Sequence, residues 1–139
     1  MALNNDMGRK HEEDVAEVFG ARLSRSSGNQ WNDQMDGRMI DGVFRFAFDC
    51  KSRMAADPTR ANGLSLTDPL WQKAERQAAG ARVMVPLRWY RTESLKVGRD
   101  LVAVSLDDMA EMMDWIGRVT EAAGTEDLFA IIERLKDHG

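Results

Sequence analysis

The sequence predicts an α/β domain: a mixed central β-sheet flanked by helices and followed by a C-terminal helical hairpin. Three observations predict it. Residues 9–24 carry apolar side chains at helical spacing. Residues 43–51 carry them at every second position and end in Asp-x-Lys. From residue 64 onward, helix-period and strand-period segments alternate until two helical segments end the chain. A length of 139 residues suits one domain, 1–139, with a real core.

The first element is an amphipathic helix over residues 9–24. Glu12, Val15, Ala16, Phe19 and Leu23 share one stripe, while Glu13, Asp14 and Glu17 face solvent. A carboxylate on a core-facing stripe is costly without a partner or a cation. Glu12 either has one, or it lies in an exposed first turn where an acid favours the helix dipole. Residues 24–37 are a polar loop whose hydroxyls, amides, Arg25 and Trp31 suit phosphate and sugar contacts, and equally a plain surface loop. Asp36-Gly37 and Asp41-Gly42 are turn signals, one of them a candidate hairpin turn into the next strand.

That strand is Val43–Lys51. Alternation puts Phe44, Phe46, Phe48 and Cys50 on one face and Ala47, Asp49 and Lys51 on the other. A carboxylate and an ammonium side by side on a rigid element can bind a divalent cation and steady a phosphate oxygen or an attacking water. They can also be an ordinary solvated ion pair. Among five lysines, Lys51 alone belongs to an acid-x-Lys triplet.

Residues 52–63 form a second polar loop with Arg53, Pro58 and Arg60, and Leu64-Ser65-Leu66 suits a short strand. A helix follows, capped by Thr67 or Asp68, with Pro69 in its first turn and a stop at Gly80. Lys73 and Gln77 stand one turn apart on it, able to reach one phosphate or simply to be solvated. Val83–Tyr90 reads as a strand, which Pro86 assigns to a sheet edge or a bulge. Leu101–Ser105 reads as a short buried strand. Ser105 or Asp107 then caps a helix to about Val119 with a Met109, Met112, Met113 and Ile116 stripe. Thr125 caps the last helix, and the two form a hairpin over 106–139.

Bulk properties narrow the function. No apolar run reaches the ~20 residues of a membrane span, and the polar start carries no secretory signal, so a cytoplasmic protein without a membrane partner is expected. One cysteine, Cys50, and two distant histidines, His11 and His138, argue against zinc and against a Cys-His nucleophile. The net charge is -4, unevenly spread: residues 1–91 hold 14 Lys/Arg against 12 Asp/Glu, and residues 92–139 hold 5 against 11. That balance suits a nucleic-acid enzyme whose carboxylates hold a cation better than a protein relying on a basic patch.

The ordered signals resemble the PD-(D/E)xK nuclease superfamily, and more narrowly its Holliday-junction-resolvase-like members from archaea and phages. Gly8-Arg9-Lys10-His11-Glu12 is similar to the opening Gly-x-x-x-Glu, and Arg25-Ser26-Ser27-Gly28 to the Arg-x-x-Gly/Ser loop. Met35-Asp36-Gly37 stands where that family has Pro-Asp, and Asp49-Cys50-Lys51 where it has (D/E)-x-K. Trp71–Ala78 resembles the helix after the core. The resemblance spans residues 8–90 and departs at Met35 for Pro and at Asp49 for Glu. Asp36 fits the spacing of the second acid better than Asp41 does.

The resemblance implies a restriction-endonuclease-like fold and a Mg²⁺- or Mn²⁺-dependent endonuclease acting on DNA, and in its narrower form on branched DNA. The metal ligands would be Asp36, Asp49, the Cys50 carbonyl and Glu12. Lys51 would act on the attacking water, Lys73 and Gln77 at the phosphate, and Arg25, Ser27, Asn29 and Arg53 on the DNA backbone. It also implies a homodimer, in a bacterial or phage-infected cell, built on the hairpin or on the Val83–Tyr90 strand. The other reading is a non-catalytic DNA-binding or assembly protein on the same scaffold.

Overall fold

A computed structural model describes residues 5–24, 35–55 and 63–137. The chain forms two compact units, residues 1–104 and 105–139. The first is a mixed α/β unit with a six-stranded sheet.

Helix α1 (Asn5–Phe19) opens the first unit. It starts and stops earlier than its apolar spacing predicts. Gly20 adopts a φ of +61°, which ends the helix and releases Leu23 into a strand. Strands β1 (Arg22–Leu23) and β2 (Gly37–Arg38) are short and pair antiparallel. Chain reversal at Asp41–Phe44, with Gly42 at φ +98°, makes β2 antiparallel to β3 (Phe46–Phe48). The Asp41-Gly42 signal is therefore the hairpin turn, and Asp36-Gly37 leads into β2.

The expected single strand over Val43–Lys51 is divided. It comprises β3 and then β4 (Lys51–Ala55), with Asp49 and Cys50 between them. Both parts run parallel to β5 (Arg82–Arg91) in one register, Phe48 opposite Met84 and Lys51 opposite Leu87. Cys50 therefore falls opposite Pro86. Proline has no N–H to give, so this is where the ladder can be interrupted at least cost. Pro86 does not mark an edge: β5 is central, with β6 (Val97–Val104) antiparallel on its other side and a register irregularity at Trp89/Tyr90. The exposed strand is β6, whose residues 97–102 face solvent, contrary to the buried strand expected at Leu101–Ser105. Leu64–Leu66 is irregular rather than a strand.

Helix α2 (Asp68–Ala78) begins at Thr67, whose hydroxyl accepts the Leu70 N–H at 3.3 Å, with Pro69 in the first turn. It ends at Ala79 and Gly80, both with positive φ. Ala74 and Ala78 press on Met35, Ala47, Val83 and Val85 to form the core. Their small side chains let the helix approach the sheet closely. Ala47 is buried, so both faces of β3 are covered, not one. Side chains of β5 alternate: Val83, Val85 and Leu87 belong to the α2 layer, while Arg88 reaches α1.

In the second unit, Ser105 caps α3 (Leu106–Ala123) through the Asp108 N–H at 3.1 Å. Gly124 links it to α4 (Thr125–Asp137) in the expected hairpin. No α3 side chain is buried; Leu106, Met109, Met113 and Ile116 stay exposed. Among the described residues no helix is long and apolar enough to cross a membrane.

Candidate active site at the divided strand

The break between β3 and β4 is where the sequence-predicted acids meet. Asp36 arrives from the neighbouring chain segment. Its N–H donates to the Phe48 carbonyl at 2.9 Å and its carbonyl accepts the Ser24 N–H at 2.9 Å. The Ser24 hydroxyl donates to the Met35 carbonyl at 2.6 Å, and Met35 is fully buried. A glycine follows because Gly37 packs under the Phe48 ring. A Cβ there would run into that ring and stand 2.9 Å from the Arg22 carbonyl. So held, the Asp36 carboxylate accepts the Cys50 N–H through Oδ2 at 2.7 Å.

Asp49 is anchored to β5 by its N–H, 3.1 Å from the Met84 carbonyl. Its Oδ2 stands 3.1 Å from Lys51 Nζ. The Asp49 carboxylate stands near enough to Asp36 for its charge to disfavour ionisation there. Burial above all, then the Asp49 and Glu12 charges, raise the Asp36 carboxyl to about 7, while the Cys50 N–H works the other way. Glu12 is 8% exposed and approaches Arg9 Nη1 at 3.3 Å. Its charge, with those of Asp36 and Asp49, adds to burial in pushing the Cys50 thiol far up. The thiol stays protonated and is no nucleophile.

Three carboxylates thus surround Cys50 with one lysine beside them. Among the described residues, no three His, Cys, Asp or Glu side chains already form a metal-ligand set. Asp36 and Asp49 are neighbours whose charges act on each other. Their hard oxygens suit Mg²⁺ or Mn²⁺, and Mg²⁺ is commonly held by one or two carboxylates while keeping several waters. A cation there would offset the repulsion that raises Asp36.

The other candidates are placed differently. Asp41 is exposed in its turn. Lys73 is exposed on α2, and Gln77 is half-buried, its carbonyl accepting Arg38 Nη2 at 2.9 Å. Arg53 is exposed, and its Nη1 donates to the Gly63 carbonyl at 2.6 Å, which makes it a strut between loops. Arg25, Ser27 and Asn29 lie outside the described residues.

Sequence reasoning missed a polar seam beneath the site. Arg88 is 4% exposed; its Nε and Nη2 donate to Asp100 at 2.7 and 3.0 Å, and its Nη1 to Asp14 at 2.7 Å. His11, 1% exposed, shares a 2.7 Å hydrogen bond between Nδ1 and Ser52 Oγ. Burial first, then the Arg88 charge, lower His11 to about 4. Arg88 standing inside an apolar strand run was the available signal.

Compared with known proteins, the chain matches no family model, no curated protein and no solved structure.

Proposed function

We propose that this chain is a divalent-metal-dependent endodeoxyribonuclease, with a restriction-endonuclease-like sheet and branched DNA as its preferred substrate. One observation carries the reading: Asp36, half-buried and bonded to the Cys50 N–H, is set against Asp49, whose other neighbour is Lys51. Two carboxylates that repel each other inside a protein cost stability, and such arrangements cluster at functional sites.

Asp36, Asp49 and the Cys50 carbonyl would hold Mg²⁺ or Mn²⁺, with Glu12 on a cation-bound water. The cation supplies neutralisation of charge at the phosphate. The chain's own groups do the rest. Asp36 is fixed by backbone bonds at both its N–H and its carbonyl, so its carboxylate does not have to reorganise. Lys51 Nζ, tethered to Asp49, donates a hydrogen bond to the attacking water and then to the developing phosphate charge. The Cys50 thiol takes no part. Gln77 and Lys73 on α2 would assist at the phosphate.

Branched DNA, a two-fold dimer and a cytoplasmic setting follow the motif resemblance. The second reading, a non-catalytic DNA-binding or assembly protein, is favoured by the lack of a ready-made three-ligand set among the described residues. Cleavage of a labelled four-way junction and a matched linear duplex, in Mg²⁺ or EDTA, by wild type and Lys51→Ala separates the readings. Mg²⁺-dependent junction nicking lost in the variant supports the proposal. Equal cutting of both DNAs removes the branched substrate. Junction binding without cutting favours the second reading.

A further inference from the structure

Helix α1 carries Glu12, whose charge acts on Asp36 and Cys50, yet little apolar packing fixes the helix. Its buried side chains are His11, Glu12 and Val15, of which Val15 alone is apolar. Instead, three polar ties join α1 to the sheet. Tyr90 Oη donates to the Met7 carbonyl at 2.8 Å, His11 Nδ1 meets Ser52 Oγ at 2.7 Å, and Arg88 Nη1 donates to Asp14 Oδ2 at 2.7 Å. Met7, His11 and Asp14 lie at i, i+4 and i+7, along one face of the helix. Apolar packing tolerates a small slide or roll; directional, charge-assisted bonds do not.

We infer that Asp14, gripped by the buried Arg88 guanidinium, is a positioning residue that sets the place of Glu12 and thereby the divalent-cation affinity of the Asp36–Asp49 pair. The inference rests on the metal site proposed above. The tie closest to Glu12 that carries a full charge pair is Asp14–Arg88. Arg88 also donates to Asp100 on β6 and to Tyr90 Oη on its own strand at 3.3 Å, contacts that do not involve α1. Supporting groups of this kind typically change metal affinity by about 10–100-fold when removed.

The test is a Mg²⁺ titration of the purified chain by calorimetry, read as the Mg²⁺ concentration that half-saturates the heat of binding. It needs no DNA and no turnover. Asp14→Ala should raise that concentration about ten-fold or more. Asp14→Asn, whose amide oxygen can still accept from Arg88, should recover most of the affinity. Asp100→Ala cuts the other arm of Arg88 without touching α1; it should lower the unfolding temperature and leave the Mg²⁺ requirement within about two-fold. If Asp14→Ala does not fold, Asp14→Glu keeps the charge but moves it by one methylene, and it should raise the requirement too. An unchanged requirement in the Asp14 variants, or an equal rise in Asp100→Ala, overturns the inference while leaving the metal site standing. A wild type that shows no response to Mg²⁺ overturns the metal site, and the inference with it.

Discussion

Replacing Asp36 by Asn should stabilise the metal-free protein, and the gain should depend on pH. The carboxyl titrates near 3.8 when unfolded and at about 7 when folded. A folded value above the unfolded one means that the folded state holds its proton longer. Stability from this group is complete below 3.8 and is lost as pH rises through about 7. The span between the two values corresponds to about 4 kcal/mol. About 3 kcal/mol of that is lost between about pH 5 and pH 8. An Asn amide accepts the Cys50 N–H, donates to Asp49 and never ionises. The Asn variant should therefore gain about 3 kcal/mol over wild type on going from about pH 5 to pH 8, or on the order of 10 °C in unfolding temperature for a unit of this size. His11 titrates in both proteins and drops out of the difference. Mg²⁺ at about 100 times its Kd should return roughly 2.7 kcal/mol to wild type and far less to the variant. The assay is thermal unfolding of both proteins across that pH range, with and without Mg²⁺. A difference between them that does not change with pH would refute the reasoning.

Four further outcomes follow from the same geometry. Gly37→Ala should destabilise by about 1–3 kcal/mol in denaturant titrations and push Asp36 out of place, since a Cβ meets the Phe48 ring and the Arg22 carbonyl. Arg88→Ala should cost about 2–4 kcal/mol, below the full penalty of a broken buried pair because Asp100 is 52% exposed and can rehydrate; Arg88→Met should recover part of the loss. His11, with a folded value of about 4 against 6.5 unfolded, has the opposite sign: its stability is present above 6.5 and lost as pH falls through about 4, and His11→Gln should flatten that acid limb in urea midpoints. Lys51→Ala should reduce cleavage by about 10²-fold or more in single-turnover assays with little loss of fold, the lysine being partly exposed.

Much of this architecture was legible in the chain because the signals were local. Thr67, Pro69 and Gly80 bracket α2, and Asp41-Gly42 marks a hairpin turn, since each acts through the conformation of its own neighbours. Asp36, Asp49 and Lys51 were legible as a set from their order, and the structure brings them together. What sequence could not supply depends on partners far along the chain. Alternation at Val43–Lys51 looks continuous; only the opposing Pro86 explains the division into two strands. Pro86 read as an edge signal because its second neighbour, the interrupted strand, was not visible in its own segment. Glu12 could have been solvated or buried by spacing alone, and its burial follows from where Arg88, Ser52 and Tyr90 pull α1. Lys73 and Gln77 share a helix face by spacing, and spacing alone does not say which way that face turns; in the structure Lys73 is exposed and Gln77 half-buried.

The most direct test of the central claim is anomalous diffraction from crystals of this chain soaked in MnCl₂. The account predicts a manganese peak between the Asp36 and Asp49 carboxylates, within bonding distance of the Cys50 carbonyl. Manganese bound elsewhere, with that position empty while the same protein cleaves DNA in Mn²⁺, would contradict it.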